Sequence, residues 1–212
     1  MVPSDGRIVL VAPASLGAFA IDPDPRSTRL ARRLDTARRM DALPRAIGLP
    51  RSSVPPHVVD ATAGLGRDAM VLARLGCTVT ALERVPALAF LLHTAARATG
   101  FAERLLVVAA DARQWLADVP RDAAPEVVYL DPMFVATGSA AVTKEMQASR
   151  ALAGPQEDPQ PLLQLARAVA RARVVVKRHR AEPPVAADVS FAVRGERVRF
   201  DVYLTATGTR SM

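Results

Sequence analysis

A chain of 212 residues, half of them hydrophobic, is long enough to bury one substantial core and too apolar for global disorder. Its formal charge of +7 fits a polyanionic partner, but all of its basic residues except Lys144 and Lys177 are arginine, a bias that genomic composition also produces. The single cysteine, Cys77, excludes an intramolecular disulfide and a cysteine-based metal cluster, and no apolar run reaches membrane-spanning length, so a cytoplasmic protein with no membrane and no metal partner is expected.

Met1 to Pro25 carries few signals. Arg7–Val11 reads as a short strand, and Asp22-Pro23-Asp24-Pro25 as a turn or linker. The apolar stretch from Ile8 to Ile21 is broken by Pro13 and Gly17 and lacks a basic lead-in, so it is not read as a signal peptide. From Ser27 to Gly48 the pattern turns helical, with Leu30, Leu34, Ala37, Leu43 and Ile47 as its stripe, and Pro44 is expected to kink or divide the helix. Between Arg26 and Arg51 eight arginines stand against Asp35 and Asp41. Such a run is either a solvated face or an RNA-contacting surface, and the sequence leaves both open.

After a connector over Pro50–Pro56, strand and helix patterns alternate. Strands are expected at His57–Asp60, Thr78–Leu82, Leu105–Ala109, Glu126–Leu130 and Arg173–Lys177, and helices at Asp68–Leu75, Pro86–Thr99, Ala112–Leu116 and Pro161–Arg171. This order indicates a parallel sheet covered on both faces. The end differs: Val189–Val193 and Val198–Leu204 flank a turn at Gly195 and predict an antiparallel hairpin. Five parallel strands closed by such a hairpin make an α/β fold of the class I methyltransferase, Rossmann-like type. An all-parallel dinucleotide fold lacks the hairpin.

Ligands of open α/β sheets bind beyond the carboxyl ends of the strands. The first such end reads Asp60-Ala61-Thr62-Ala63-Gly64-Leu65-Gly66-Arg67-Asp68. Gly64 and Gly66 allow a sharp turn and close approach of a ligand, and the helix start behind them presents free N–H groups. A third glycine of the dinucleotide fingerprint is missing, Ala69 standing near its place, which counts against a dehydrogenase. Glu83, ending the second strand, is placed to accept hydrogen bonds from both hydroxyls of a ribose. Asp111, after the third, is read as an acceptor for the exocyclic amine of an adenine, as the N-cap of the following helix, or as both. Arg67 either pairs with a ligand carboxylate, such as that of a methionine moiety, or with Asp68.

The sharpest motif is Asp131-Pro132-Met133-Phe134, after the fourth strand. It is similar to the Asp/Asn-Pro-Pro-aromatic signature of methyltransferases that act on exocyclic amines of bases. An aryl amine is a poor nucleophile because its lone pair is delocalised. Hydrogen bonds from its N–H groups to Asp131 and to a carbonyl near Pro132 favour a pyramidal nitrogen, Asp131 helps accept the released proton, and Phe134 stacks on the base. The competing reading is an ordinary turn with a core phenylalanine. Arg173–Arg180, ending the fifth strand, is read as a phosphate-contacting cluster or as solvated charge. His57 and His93 stand without partners for triad chemistry, and Trp115 and Cys77 are read as packing residues.

Six ordered blocks resemble the RsmJ family of small-subunit ribosomal RNA (guanine-N2)-methyltransferases: Val58–Ala69, Leu82-Glu83-Arg84, Val128–Phe134, Lys144-Glu145-Met146, Val174–Arg178 and Arg199–Tyr203. The resemblance covers Val54 to Leu204. It implies S-adenosyl-L-methionine as cofactor, ribosomal RNA or the small ribosomal subunit as partner, and a donor site lined by Arg67, Asp68, Glu83, Arg84, Asp111, Ala112 and Asp131, the pair Asp111-Ala112 matching by position only. It also divides the chain into an N-terminal extension over residues 1–53 and a methyltransferase domain over residues 54–212. The chain departs from the family pattern at Thr36–Met40 and at Val135–Ser139, loops expected to face the RNA. Methylation of another amine (DNA, a free base or protein) and a non-catalytic binding module are the competing functions.

Overall fold

The computed structural model describes residues 2–4, 7–11, 20–21, 29–132, 152 and 157–205. Three short strands, β1 (Val2–Ser4), β2 (Arg7–Val11) and β3 (Ala20–Ile21), form a small antiparallel sheet in that order. Two helices follow, α1 (Arg29–Thr36) and α2 (Ala42–Ile47), with a 3₁₀ turn over Leu49–Arg51. The alternating part runs β4 (His57–Asp60), α3 (Arg67–Arg74), β5 (Thr78–Glu83), α4 (Pro86–Ala98), β6 (Leu105–Ala109), α5 (Ala112–Asp118) and β7 (Val127–Leu130). It ends in α6 (Gln160–Val169), β8 (Arg173–His179), β9 (Phe191–Arg194) and β10 (Val198–Leu204).

The large sheet has the order β6-β5-β4-β7-β8-β10-β9. Only β10 runs against its neighbours, inserted between β8 and the edge strand β9. This is the class I methyltransferase sheet with its closing hairpin. The chain leaves β4 through β5 to β6 on one side and returns to β7 on the other, so strand order reverses at β4, and a crevice opens between the carboxyl ends of β4 and β7. Both faces are covered, which is why the central strands are almost uniformly aliphatic. One face packs Val58, Val79, Tyr129, Val175 and Val202 against residues of the first four helices, such as Leu34, Ile47, Met70 and Leu92. The other packs Val59, Val128, Val174 and Val176 against Leu116 of α5 and Leu163 of α6.

The N-terminal helical stretch breaks earlier than Pro44. Between α1 and α2 the Arg38 N–H donates to Asp41 Oδ2 at 2.8 Å and the Asp41 N–H to Arg38 O at 3.1 Å, forming a turn. Pro44 lies in the first turn of α2, where a missing N–H costs no helical bond. Gly48, with φ of 91°, ends α2 and returns its N–H to Arg45 O. Leu34, Leu43, Ala46, Ile47 and Leu49 are all buried in the core they share with the sheet. Cys77 is fully buried. No described helix is long and apolar enough to cross a membrane.

Candidate active site

The loop after β4 is tied to its neighbours through short bonds. Asp60 is buried, and its Oδ1 accepts the Thr62 N–H at 3.2 Å. Thr62 Oγ1 accepts the Asp131 N–H at 2.6 Å, which joins the loops after β4 and β7. The two glycines serve different ends. Gly64, φ 55°, has open space where a Cβ would stand, and its N–H donates to Glu83 Oε2 at 2.9 Å. Gly66, φ 66°, lies so close to α4 that a Cβ would stand 2.1 Å from Leu92 Cδ1. Gly64 therefore leaves room at the crevice, while Gly66 lets the loop pack beneath it.

On the β5 side of the crevice, a cleft is lined by Thr62, Gly64, Glu83, Asp111 and Asp131, with Leu88 and Leu162 as apolar walls. Arg84 and Ala112 line it as well. Glu83 is buried; its Oε1 accepts the Val85 N–H at 2.7 Å, and burial pushes its pKa up against the pull of its two backbone donors. Asp111 caps α5, Oδ1 taking the N–H of Arg113 at 2.8 Å and of Gln114 at 3.4 Å. The cap reading thus holds, and Oδ2 takes no part in either cap bond. Across the mouth Glu157 bridges two arginines, with Oε1 2.7 Å from Arg84 and Oε2 2.6 Å from Arg113. Sequence reasoning missed Glu157, which is 73 residues from Arg84 and in no motif.

On the α3 side lies a second cleft, lined by Arg33, Asp60, Arg67, Asp68, Tyr129 and Lys177, and sharing Thr62, Gly64 and Asp131 with the first. Its centre is a charge cluster. Lys177 Nζ is 2.8 Å from Asp131 Oδ2 and 2.9 Å from Asp68 Oδ2. The Tyr129 hydroxyl donates to Asp68 Oδ2 at 2.5 Å, and Arg33 of α1 pairs with Asp68 Oδ1. Burial alone would raise the Asp68 pKa, but Lys177, Arg33 and the Tyr129 bond hold its carboxyl below the usual range. Burial likewise works against the Lys177 ammonium, yet Asp68 and Asp131 raise its pKa on balance. Asp131, with 38% of its side chain exposed, is shifted upward by desolvation, which Lys177 opposes and Asp68 reinforces. Asp60 is pushed well up by burial and by the neighbouring Asp68 and Asp131.

The crevice brings together Asp60, Gly64, Asp68, Glu83, Asp111 and Asp131, as the strand-end pattern predicts. Arg67 is exposed at the rim of the second cleft, and the carboxylate of Asp68 is engaged by Arg33 instead. Pro132 is partly buried after Asp131; Met133, Phe134 and the Lys144-Glu145-Met146 block lie outside the described residues. The basic run of β8 is not one cluster, because strand alternation splits it. Lys177 turns inward to Asp68 and Asp131, whereas Arg178 on the opposite face bonds Pro183 O at 3.0 Å and pairs with Glu182. A signal for Lys177 was available: it is one of two lysines in an arginine-rich chain.

A family profile described as SAM-dependent methyltransferase matches residues 11–205. The chain is 48% identical over 159 residues to the ribosomal RNA small subunit methyltransferase J of Thioalkalivibrio sulfidiphilus, covering 71% of this chain and 62% of that protein. The crystal structure of a SAM-dependent methyltransferase from Neisseria gonorrhoeae is 34% identical, with a TM-score of 0.67, and the match covers 89% of this chain and 76% of that one. A T. thermophilus 16S rRNA N2 methyltransferase, in complex with AdoMet and guanosine, shares the fold at a TM-score of 0.54 and 16% identity, over 77% of this chain and 42% of that one. The chain spans less than two thirds of the length of the curated relatives it matches.

Proposed function

The chain belongs to the S-adenosylmethionine-dependent methyltransferase family, and from that premise we propose that it methylates the exocyclic N2 amine of a guanine in small-subunit ribosomal RNA. The observation that carries this reading is the position of Asp131, which lines both clefts and stands where donor and acceptor would meet. The names of the ribosomal RNA methyltransferase relatives support the choice of substrate. That substrate places the reaction in the cytoplasm.

The cleft beside β5 fits the donor. Glu83 keeps acceptor capacity for the ribose hydroxyls, since its two oxygens each take one backbone N–H. Asp111 offers Oδ2 to the adenine amine, and Arg84 and Ala112 wall the adenosine end. Arg67, at the rim of the neighbouring cleft, meets the methionine carboxylate, while Asp60, Gly64, Gly66 and Asp68 border that end. When bound, the donor supplies a sulfonium methyl, which passes to the amine nitrogen and leaves a neutral thioether.

The protein's own part is to hold the nucleophile and take its proton. Lys177 binds Asp131 through Oδ2, which fixes the carboxylate and leaves Oδ1 for an N–H of the guanine amine. A carbonyl at Pro132 takes the second N–H, and Phe134 stacks on the base. As the C–N bond forms, the nitrogen loses a proton to Asp131 and from there to solvent.

Labelled donor incubated with 30S subunits that lack the modification tests the assignment. Incorporation that maps by mass to the N2 of one guanine is expected. Asp131→Ala should lower incorporation by at least about 10²-fold while donor affinity stays within a few-fold. Normal donor binding with no transfer to RNA, or transfer to DNA, a free base or protein instead, would remove the assignment.

A further inference from the structure

A third cleft lies away from both of the others, between α2 and the edge strand β9. Arg45, Arg51 and Arg173 line it with Met40 and Phe191, and no carboxylate is among its described lining residues. We propose that this cleft is an RNA-backbone site, in which the three arginines hold phosphates of the strand whose target base sits at Asp131. The proposal rests on the RNA reading above.

Arg173 is the anchor. Its guanidinium lies directly against Gly48, a residue with φ of 91°, where a Cβ would stand 2.9 Å from Arg173 Cζ and from Nη1 and would displace the arginine. Nη1 donates to Ala46 O at 3.3 Å, while Nε is buried without a partner. Burial and the like charge of Arg51, which lines the same cleft, lower the pKa of this half-buried cation. The arginines buried elsewhere in the sheet are matched differently, Arg178 by Glu182 and Arg199 by Asp201. Half-buried Arg173 has a like-charged neighbour and no counter-ion among the described residues. Arg45 and Arg51 form no ion pair among the described residues, which leaves both guanidinium groups available to an anion at this cleft.

Two further features favour a nucleic-acid phosphate over a small free anion. Met40 is 67% exposed and Phe191 38% exposed at the same cleft, flat apolar surface beside guanidinium groups. That pairing suits an unpaired nucleotide, phosphate on the arginines and base on the ring. The cleft also shares a face of the sheet with the catalytic carboxylate. Arg173 and Lys177 alternate to the same side of β8 four residues apart, which is about 13 Å along the strand. The α1–α2 segment spans the same interval, from Arg33 at Asp68 to Arg45 at this cleft.

Arg45 and Arg51 are exposed and belong to neither of the first two clefts, so the double variant Arg45→Gln, Arg51→Gln tests the site. With a ribosomal RNA fragment carrying the target guanine, fluorescence anisotropy should show affinity falling at least about tenfold and a salt slope shallower by about two. The KM for RNA should rise in step, with kcat and donor affinity unchanged. Phe191→Ala should weaken RNA binding without changing the salt slope. Inorganic phosphate at millimolar concentration should not compete; if it displaces the RNA fully, the site takes a free anion and the proposal fails. An unchanged affinity and salt slope in the double variant would also overturn it. Because anisotropy reads binding alone, a wild-type protein that binds RNA through these arginines but transfers no methyl group would refute the catalytic reading and leave this site standing.

Discussion

Lys177 carries its charge between two carboxylates, and that position determines when Asp131 can act. In the proposed reaction Asp131 takes the proton of the amine, which it can do only when ionised. Its pKa is raised on balance, burial being the largest contribution, and Lys177 is the strongest influence in the opposite direction. In Lys177→Met that influence is gone, the Asp131 pKa climbs further, and the acid limb of the kcat profile should move to higher pH. Lys177→Arg keeps the charge and should bring the limb back toward the wild-type position. A pH–rate profile with the limb unmoved in the methionine variant would leave Lys177 a packing role only. Asp68 behaves oppositely. Desolvation is outweighed by Lys177 and Arg33, so its pKa is depressed, and its contribution to stability is present above the unfolded value of about 4 and lost as pH falls below it. Urea unfolding should therefore separate wild type from Asp68→Asn most at pH 7, and the gap should narrow progressively as pH falls below about 4 toward the depressed folded value.

At the scale of elements, the glycine turn shows how backbone constraint and packing meet. A Cβ on Gly66 would combine a positive φ with overlap on Leu92, so Gly66→Ala should cost about 1–3 kcal/mol in urea unfolding, whereas Gly64→Ala meets open space and carries only the strain of its φ. The parallel strands were legible because each is a short aliphatic run, the first four with an acid at or just after the end, and the hairpin because Gly195 separates two alternating runs. The break between α1 and α2 was not, because Arg38 and Asp41 close it through a side chain-to-backbone bond at positions with no glycine or proline. The contacts of Arg33, Tyr129 and Glu157 escaped for a different reason. Each is an interaction between residues dozens of positions apart, which spacing cannot encode. Buried Ile47 fastens α2, and with it the arginine cleft, to the sheet; Ile47→Ala should cost about 2–5 kcal/mol and weaken RNA binding in proportion to the fraction unfolded.

Across the whole molecule, the sheet holds its acids apart from the arginine cleft. Acids gather at the carboxyl ends of β4, β5 and β7, arginines line the cleft at α2 and β9, and the α1–α2 segment joins the two along one face. Donor binding should therefore be separable from both catalysis and RNA binding. A ligand that binds only the folded chain stabilises it by RT ln(1 + [L]/Kd), about 2.7 kcal/mol at a hundredfold excess over Kd. For a domain of this size that is roughly 5–10 °C in Tm. S-adenosylmethionine should produce such a shift in the wild type, in Asp131→Ala and in the Arg45→Gln, Arg51→Gln variant alike, and NADH should produce none. Glu83→Ala should lose most of it, because in the proposed donor site that carboxylate takes the ribose hydroxyls, and it also holds the Gly64 loop by accepting the Gly64 N–H. A full shift in Glu83→Ala would move the donor out of the β5 cleft. A loss in Asp131→Ala comparable to that in Glu83→Ala would mean that Asp131 holds the donor rather than the acceptor.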